Sequence, residues 1–237
     1  MDLELIGRTP CRSIKLPSDR SEERRVIEPS QLHQLADAVG PNWRAMIYVG
    51  GVMGLRFGEA AALQVQDVDL VEHRLYVSKT VVEANGRISI DVPKTSAGLR
   101  TLALPDPLVD ELRDHIERSG LEDPEALLFG SSTGVPVRRS NFARRVFGPA
   151  VESCGLDGLT FHGLRHSAAT QWVAAGLDAR TVQHRLGHAD PRLVLRLYAH
   201  VSSRADQEAA RTTAETFWSK VDAGSARDGA ESVERNP

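Results

Sequence analysis

The hydrophobic residues in the first half of the chain recur at the spacing of helices. From Leu32 to Val39 the apolar positions fall on one helical face, and Gly40-Pro41 closes the pattern. A second, mostly apolar helix is predicted from Trp43 to Met53, and the stretch from Phe57 to Leu63 predicts a short third one. We therefore expect the fold to begin with helices.

The period then changes to that of β-strands. The stretch "HRLYVSKTVVEANGRISIDVP" is rich in β-branched and aromatic residues and contains the hairpin signal Asn85-Gly86. A further strand is predicted from Leu99 to Leu104. Together they predict one small antiparallel sheet over residues 74–104.

The chain after Asp106 has a helical pattern. The candidate helices are 107–118, 139–153, 162–175, 178–186, 190–199 and 203–220. The predicted fold class is mainly α with a small antiparallel β-sheet. Residues 1–25 have the composition of a linker, residues 26–222 are predicted to form one domain, and residues 223–237 have the composition of a disordered tail.

The overall charge is slightly negative, with a formal net charge of −3. This sum argues mildly against a nucleic-acid-binding protein, because contacts with phosphates favour a basic surface. Basic residues nevertheless cluster at Arg138-Arg139, at Arg144-Arg145 and from Arg165 to Arg196. Two interpretations stay open: one basic face on a nearly neutral protein, or charges spread over every face.

Cysteine content and hydropathy narrow the class of protein. The cysteines Cys11 and Cys154 are too few for a disulfide framework or a metal cluster. No apolar stretch approaches the roughly 20 residues that span a bilayer, and residues 1–10 contain no signal-peptide core. We expect a cytoplasmic protein that does not enter the membrane.

Six side chains are candidates for chemistry: Arg56, Lys94, His162, Arg165, His188 and Tyr198. Taken singly, each is compatible with an ordinary structural role in an ion pair, a hydrogen bond or a packed helix. The local context of Arg56 favours a site, because Gly54 and Gly58 flank it at a break between helices and let a ligand approach. Glu59, three residues later, can orient its guanidinium group.

The other candidates lie at turns and helix ends. Lys94 is in the turn "PKTSAGLR" between two predicted strands. His162 and Arg165 share a face at the start of a predicted helix, an end that favours anions. His188 follows a predicted helix end, and Tyr198 comes ten residues later in "LVLRLYAHV".

This combination of side chains suits a phosphodiester. Two arginines can hold both non-bridging oxygens and stabilise the extra charge of the pentacoordinate state. A tyrosine hydroxyl can attack phosphorus and hold the strand covalently, while a lysine gives a proton to the departing 5′-oxygen. Histidines can hydrogen-bond the phosphoryl oxygens and move the nucleophile's proton. Because the arginines supply the positive charge, no metal ion or other cofactor is predicted.

The same residues carry a resemblance to the tyrosine recombinases, the phage-integrase family. The motifs "GLRFGE", "PKTSAGLRTLALP", "HGLRHSAAT", "LGH" and "YAH" are each similar to a motif of that family and stand in its order, over about residues 28–201. The resemblance implies the catalytic-domain fold of that family. It also implies DNA strand cleavage and rejoining through a 3′-phosphotyrosine, without ATP or metal.

The resemblance assigns a role to each candidate: phosphate-holding arginines Arg56 and Arg165, general acid Lys94, acid/base His162, phosphate-binding His188, nucleophile Tyr198 and supporting residue Glu59. Two departures from the family stand out. Leu195 replaces a threonine that many relatives carry shortly before the tyrosine. Relatives also have an N-terminal helical domain where this chain has the segment 1–25, so we expect an isolated catalytic domain.

Double-stranded DNA is the partner that the resemblance implies, bound by a homotetramer on paired sites with accessory DNA-bending or directionality proteins. The candidates for contacts with the DNA backbone are Arg138, Arg139, Arg144 and Arg145. The predicted helix 203–220 carries a stripe of small residues. Packing on its own domain and contact between protomers are both open for this helix, and the resemblance favours contact between protomers.

Three alternatives remain open at this point. A type IB topoisomerase uses the same chemistry but religates its own strand. A non-catalytic DNA-binding module keeps the fold without the activity. A metallohydrolase would use the two histidine pairs with the i,i+4 spacing of metal ligands, although Arg165 beside the first pair would repel a metal ion. The pairs are His162 with His166 and His184 with His188.

Overall fold

The computed structural model describes residues 25–84, 86–93, 95–131, 133–188, 190, 192, 194, 195, 198, 210–213 and 216. The helices with defined bounds are α1 (Pro29–Ala38), α2 (Pro41–Gly51), α3 (Phe57–Ala61), α4 (Asp106–Arg118), α5 (Arg139–Phe142), α6 (Gly148–Ser153), α7 (Phe161–Ala174) and α8 (Ala179–Leu186). The strands are β1 (Val68–Asp69), β2 (Arg74–Val77), β3 (Thr80–Ala84), β4 (Arg87–Asp91) and β5 (Arg100–Ala103). The predicted fold class, mainly α with little β, is confirmed.

Proline and glycine set the boundaries of α1 and α2. Pro29 and Pro41 each occupy the first position of their helix, where the missing N–H has no helical partner to lose. Gly40 between them has a left-handed backbone with φ of +81°, which lets one helix turn directly into the next. The structure confirms the first three predicted helices, with ends shifted by a few residues.

The strands form two separate sheets. β2 pairs with β1 on one side and with β5 on the other, all antiparallel, and Leu75 lies opposite Leu102. β3 and β4 form a two-stranded antiparallel hairpin in which Val81 lies opposite Ile90. The prediction of a single sheet over 74–104 is therefore wrong.

Burial explains why the sheet is divided. Buried and exposed residues alternate along β2 and β5, so these strands have one core face. β3 and β4, which are described in full, contain no fully buried residue, and their contact with the core is through partly buried side chains such as Val81. Lys79, just before β3, donates to Gln64 at 2.6 Å and to Asp67 at 3.1 Å, and these contacts hold the chain where it leaves β2. A β-branched composition identifies strands without identifying their partners.

A π turn interrupts the predicted helix 139–153. Between α5 and α6 the residues Ala143–Phe147 form this turn, in which the Gly148 N–H donates to the Ala143 carbonyl. Pro149 has no N–H, so it cannot bond the carbonyl of Arg145 as a regular helix requires. The prediction of one regular helix is corrected to two helical segments joined by a π turn.

The core is built around α2. Every residue from Ala45 to Gly50 is buried, and α2 contacts α1, α3, α4 and α7. A Cβ on Gly50 would lie 2.7 Å from the Phe161 ring, so glycine allows α7 to pack closely. A smaller cluster, which we call the second core, joins α7 and α8 through Val173, Val182 and Leu186. Together these contacts fix the start of α3, where Arg56 and Glu59 lie, and the end of α8, which His188 follows.

Several predictions fall outside the described residues. These are almost all of the linker 1–25, the tail 223–237, most of the helix 203–220, Asn85 and Lys94. They stay predictions, as does the division into domains. Within the predicted helix 190–199, the described positions 192, 194, 195 and 198 are helical, whereas position 190 is not. Of the described helices, none combines the length and the apolar character that crossing a membrane requires.

Candidate active site

Arg56 and Glu59 begin the short helix α3. The Arg56 N–H donates to Glu59 Oε2 at 2.9 Å, and Arg56 Nη1 donates to Glu59 Oε1 at 2.7 Å. The Glu59 side chain is 3% exposed and that of Arg56 is 42% exposed, so the guanidinium group reaches solvent from a buried carboxylate. Gly58 lets this turn press against β3, because a Cβ there would lie 2.7 Å from the Val81 carbonyl oxygen.

Arg165 approaches the same carboxylate from α7 and is buried. Its Nη1 donates to the Gly54 carbonyl at 2.6 Å and lies 3.9 Å from Glu59 Oε2. Burial, followed by the positive charge of Arg56, lowers the pKa of Arg165 to about 9, although the charge of Glu59 opposes the shift. A bound anion would favour the charged form, so Arg165 lies in a place that suits a negatively charged ligand.

Arg100 was not identified from the sequence as part of this site. Its side chain is 0% exposed, and Nη1 and Nη2 donate to the two oxygens of Glu59 at 3.2 and 2.9 Å. An arginine on a short strand is ordinarily exposed. The sequence does contain one signal for Arg100: it follows Lys94 by six residues in the same motif. Glu59 and the three arginines around it, Arg56, Arg100 and Arg165, are called the arginine cluster below.

Three consecutive carbonyls at the end of α8 each accept a hydrogen bond from a different arginine of this cluster. The pairs are the carbonyl of Arg185 with Nε of Arg100 at 2.9 Å, that of Leu186 with Nη2 of Arg165, and that of Gly187 with Nη2 of Arg56 at 3.3 Å. The last carbonyls of a helix lack partners within the helix and carry the negative end of its dipole. The end of α8 therefore helps to gather the three guanidinium groups.

His188 lies directly beyond α8, beside the arginine cluster. Its pKa is lowered to about 4 by burial, then by the positive charges of the cluster and by His162. His188 is therefore uncharged at neutral pH, and its buried Nδ1 has no hydrogen-bond partner among the described residues. His162 lies three residues before Arg165 on α7 and therefore on the same face of that helix.

Tyr198 lies at the other end of α8. Its ring packs against the second core, and its hydroxyl donates to the carbonyl of Leu177. Leu177 precedes α8, and eight residues of helix span roughly 12 Å between this point and the arginine cluster. The structure thus gathers Arg56, Arg165 and His188, with His162 nearby, and holds the Tyr198 hydroxyl elsewhere.

The turn that follows Lys94 reaches the arginine cluster. Lys94 itself lies outside the described residues. The Gly98 carbonyl accepts a hydrogen bond from Arg100 Nη1 at 3.2 Å. A Cβ on Gly187 would lie 2.8 Å from the Ala97 carbonyl oxygen, so this turn packs closely on the end of α8.

The four arginines predicted to contact DNA differ in their surroundings. Arg138 donates to Glu83 Oε1 at 2.7 Å and to the Gly86 carbonyl at 2.8 Å, so it braces the β3–β4 hairpin. Its charge is therefore partly compensated within the protein. The other three, which are exposed, are Arg139, Arg144 and Arg145.

The histidine pairs do not gather into a metal site. No group of three or more His, Cys, Asp or Glu side chains could hold a metal ion in the part of the chain that the structure describes. All four histidines of the metallohydrolase interpretation lie in that part: His162, His166, His184 and His188. The described residues therefore give this interpretation no support.

Curated relatives carry the names of integrases and recombinases. The integrase of Mycobacterium phage D29 is 29% identical over 217 residues, which are 90% of this chain and 57% of that protein. The tyrosine recombinase XerC of Herpetosiphon aurantiacus is 37% identical over 174 residues, which are 72% of this chain and 53% of that protein. The chain thus spans a little over half the length of these relatives.

A solved structure and a family model give the same result. The Tn1549 transposon integrase, in complex with transposon right-end DNA, is 25% identical with a TM-score of 0.69, and the match covers 82% of this chain and 68% of that one. The model of the phage integrase family matches residues 25–204. The match covers most of the chain and contains every candidate catalytic residue, and the chain therefore belongs to the phage integrase family.

Proposed function

We propose that the protein is a site-specific recombinase that cleaves and rejoins DNA strands through a covalent 3′-phosphotyrosine. The observation that carries the proposal is the arginine cluster, in which Arg56 and Arg165 share one carboxylate and one helix end beside an uncharged His188. Two guanidinium groups held in this way can bind the two non-bridging oxygens of one phosphodiester. Membership of the phage integrase family supports the same activity.

The charge of the cluster favours an anionic ligand. Three guanidinium groups surround the single carboxylate of Glu59, so the local balance is positive. Because these groups are fixed by hydrogen bonds before any ligand binds, little reorganisation is needed when charge develops on the phosphate. The pentacoordinate state carries more negative charge than the phosphodiester, so the cluster stabilises it more strongly.

In the proposed reaction the Tyr198 oxygen attacks the scissile phosphorus. A bond from the tyrosine oxygen to phosphorus forms, and the bond from phosphorus to the 5′-oxygen breaks. The phenol proton passes to His162, and Lys94 gives a proton to the departing 5′-oxygen. His188, as a neutral imidazole, donates a hydrogen bond to a phosphoryl oxygen. A 5′-hydroxyl from another strand then reverses the step, so the number of phosphoester bonds is conserved.

Double-stranded DNA is the proposed partner. Support comes from the Tn1549 integrase, which was solved with transposon DNA, and from the exposed arginines of the segment 139–145. We further propose a homotetramer on paired sites, with the helix 203–220 between protomers. Accessory DNA-bending or directionality proteins and a cytoplasmic location belong to the same proposal, and these points rest on the family resemblance alone.

Covalent trapping tests the activity. Duplexes that the protein binds are selected from a randomised pool, and a nick is placed near the centre of the bound site so that a short fragment escapes after cleavage. Wild-type protein should give an adduct that survives a denaturing gel, and Tyr198→Phe should bind the duplex without forming one. Binding without an adduct in the wild type would point to a non-catalytic module. Relaxation of supercoiled plasmid without strand exchange would point to a topoisomerase.

A further inference from the structure

We propose that Arg100 is a positioning residue for strand cleavage, which holds Glu59 and through it sets the positions of Arg56 and Arg165. The inference rests on the proposed function, because it concerns the rate of the same cleavage step. It adds a residue to the site and a physical reason for the buried carboxylate at its centre.

Arg100 cannot act on DNA directly. Its side chain is 0% exposed, and all three of its side-chain nitrogens, Nε, Nη1 and Nη2, donate hydrogen bonds within the protein. The acceptors are both oxygens of Glu59, at 3.2 and 2.9 Å, the Gly98 carbonyl at 3.2 Å and the Arg185 carbonyl at 2.9 Å. A buried arginine with this many partners acts through the groups that it holds.

Glu59 is the group through which the effect passes. Its Oε1 accepts from Nη1 of both Arg56 and Arg100, while Oε2 accepts from the Arg56 N–H and from Arg100 Nη2. Arg165 Nη1 lies 3.9 Å from the same Oε2. The orientation of the carboxylate therefore determines where both of the proposed phosphate-binding arginines can lie.

Arg100 also neutralises the carboxylate so that the other two arginines need not. Burial alone would raise the pKa of Glu59, but the hydrogen bonds and charge of Arg100, followed by those of Arg56, hold it below its ordinary value. Without Arg100 the buried charge of Glu59 would depend on Arg56 and Arg165. Glu59 would then compete with the phosphate for the same two guanidinium groups.

Arg100 further connects two segments that flank the site. Through the Gly98 carbonyl it holds the turn that follows Lys94, and through the Arg185 carbonyl it holds the end of α8 that precedes His188. A Cβ on Gly187 would lie 2.8 Å from Arg100 Nη1, so the contact with the helix end is close. One side chain thus bears on the placement of most of the candidate residues.

The test separates cleavage from binding. Arg100→Lys keeps the charge but cannot grip both carboxylate oxygens in a fork. In single-turnover assays at saturating duplex we expect the cleavage rate to fall about 10- to 100-fold, the scale of a small misplacement of reacting groups. The Kd for the duplex should change by less than about 3-fold, because the residues that face DNA are intact. A folded Arg100→Lys protein that cleaves at the wild-type rate would overturn the inference.

The matched control is Arg44→Lys. Arg44 Nε donates to Glu111 at 2.8 Å, so this change disturbs a partly buried ion pair between α2 and α4, outside the arginine cluster. The cleavage rate of this variant should equal that of the wild type at temperatures where it is folded. An equal loss of rate in both variants would show that Arg100 acts only through general stability, and would overturn the inference.

A second pair of variants tests the route through Glu59. Glu59→Gln removes the buried charge, and Arg100→Met in that background removes the fully buried cation that would lose its carboxylate partner. If Arg100 acts through Glu59, the double variant should cleave at about the rate of Glu59→Gln alone. If Arg100→Met lowers the cleavage rate of the Glu59→Gln protein by a further factor, Arg100 does not act through Glu59, and this part of the inference is wrong. A wild-type protein that binds DNA and never cleaves it would instead overturn the proposed function itself.

Discussion

The hydroxyl group of Tyr198 donates a hydrogen bond to the backbone carbonyl of Leu177. Burial, followed by the negative charge of Asp178, raises the pKa of Tyr198 in this place. Both effects favour the neutral phenol, whereas the guanidinium groups at the far end of α8 would favour the phenolate. The described arrangement therefore favours the neutral phenol and places its hydroxyl at the end of α8 away from the arginine cluster, so the proposed reaction would need Tyr198 to move toward that cluster.

Replacement of Tyr198 by phenylalanine should lower the stability of the free protein. The lost hydrogen bond to Leu177 is expected to cost about 1 kcal/mol in the free energy of unfolding. Urea denaturation followed by circular dichroism measures this difference. Tyr76→Phe, on β2 with its side chain partly exposed, is the control and should have little effect. Equal stability of wild type and Tyr198→Phe would show that the contact with Leu177 is absent in solution.

The two arginines proposed to bind phosphate, Arg56 and Arg165, should differ in their effect on stability. Arg56→Ala and Arg165→Ala should each slow cleavage by about two to three orders of magnitude, the scale for loss of one fixed transition-state donor. The lysine variants should recover only part of this loss, because a point charge cannot grip two oxygens in a fork. Of the lysine variants, only Arg165→Lys should also destabilise the fold, by about 1–3 kcal/mol, because the carbonyls of Gly54 and Leu186 lose a buried donor. Thermal unfolding and single-turnover assays on the same samples separate the two effects. Wild-type stability in Arg165→Lys would contradict the contacts described for it.

Protonation of His188 should reduce stability in acid. Its pKa of about 4 in the folded protein lies below the value near 6.5 that an unfolded histidine has. Between these values the unfolded chain binds more protons, so the free energy of unfolding falls as the pH is lowered from about 6.5 to 4. Above about pH 6.5, His188 is uncharged in both states and its titration no longer changes the free energy of unfolding.

His188→Asn tests this pH dependence, because asparagine does not titrate. Urea unfolding at several pH values should show a smaller fall between pH 6.5 and 4 for His188→Asn than for wild type. His184→Asn, an exposed position on α8, serves as the control and should follow the wild-type curve. Parallel curves for wild type and His188→Asn would contradict the burial of His188 beside the arginine cluster.

The arginines near the π turn should contribute unequally to DNA binding. Removal of exposed Arg144 should reduce the slope of log affinity against log salt by about 0.9, the value for one phosphate contact. Arg138→Ala should change the slope less, because Glu83 already compensates that charge at 2.7 Å. Salt titrations of binding to a duplex of fixed sequence measure both slopes. If the slope fell by about 0.9 in Arg138→Ala and stayed unchanged on removal of Arg144, Arg138 and not Arg144 would be the residue that contacts phosphate.

The helices were predictable from the sequence because their signals are local. The apolar face of α1, the prolines at the starts of α1 and α2, and the spacing of His162 and Arg165 on α7 are all visible within a few residues. The pairing of β2 with β5 was not predictable in this way, because it joins strands separated by a hairpin. The composition of the strands gives their number and not their order.

The same distinction applies to the candidate site. Arg56 and Glu59 are neighbours in one motif, so their pairing could be anticipated from the sequence. Arg100 pairs with Glu59 across 41 residues, and its burial depends on the end of α8. Its place in the motif of Lys94 puts it near the site but gives no sign of either contact. The position of Tyr198 at Leu177 depends on packing between α7 and α8, and the motif around the tyrosine carries no sign of it.

The most direct test of the account identifies the residue that is joined to DNA. Wild-type protein is trapped on a nicked duplex and digested with protease and nuclease, and the peptide that carries a nucleotide is sequenced by mass spectrometry. The expected product is a single modified peptide in which Tyr198 carries a 3′-linked nucleotide phosphate. A nucleotide on Tyr48, on Tyr76 or on a non-tyrosine residue would contradict it, and so would a 5′-linked phosphate.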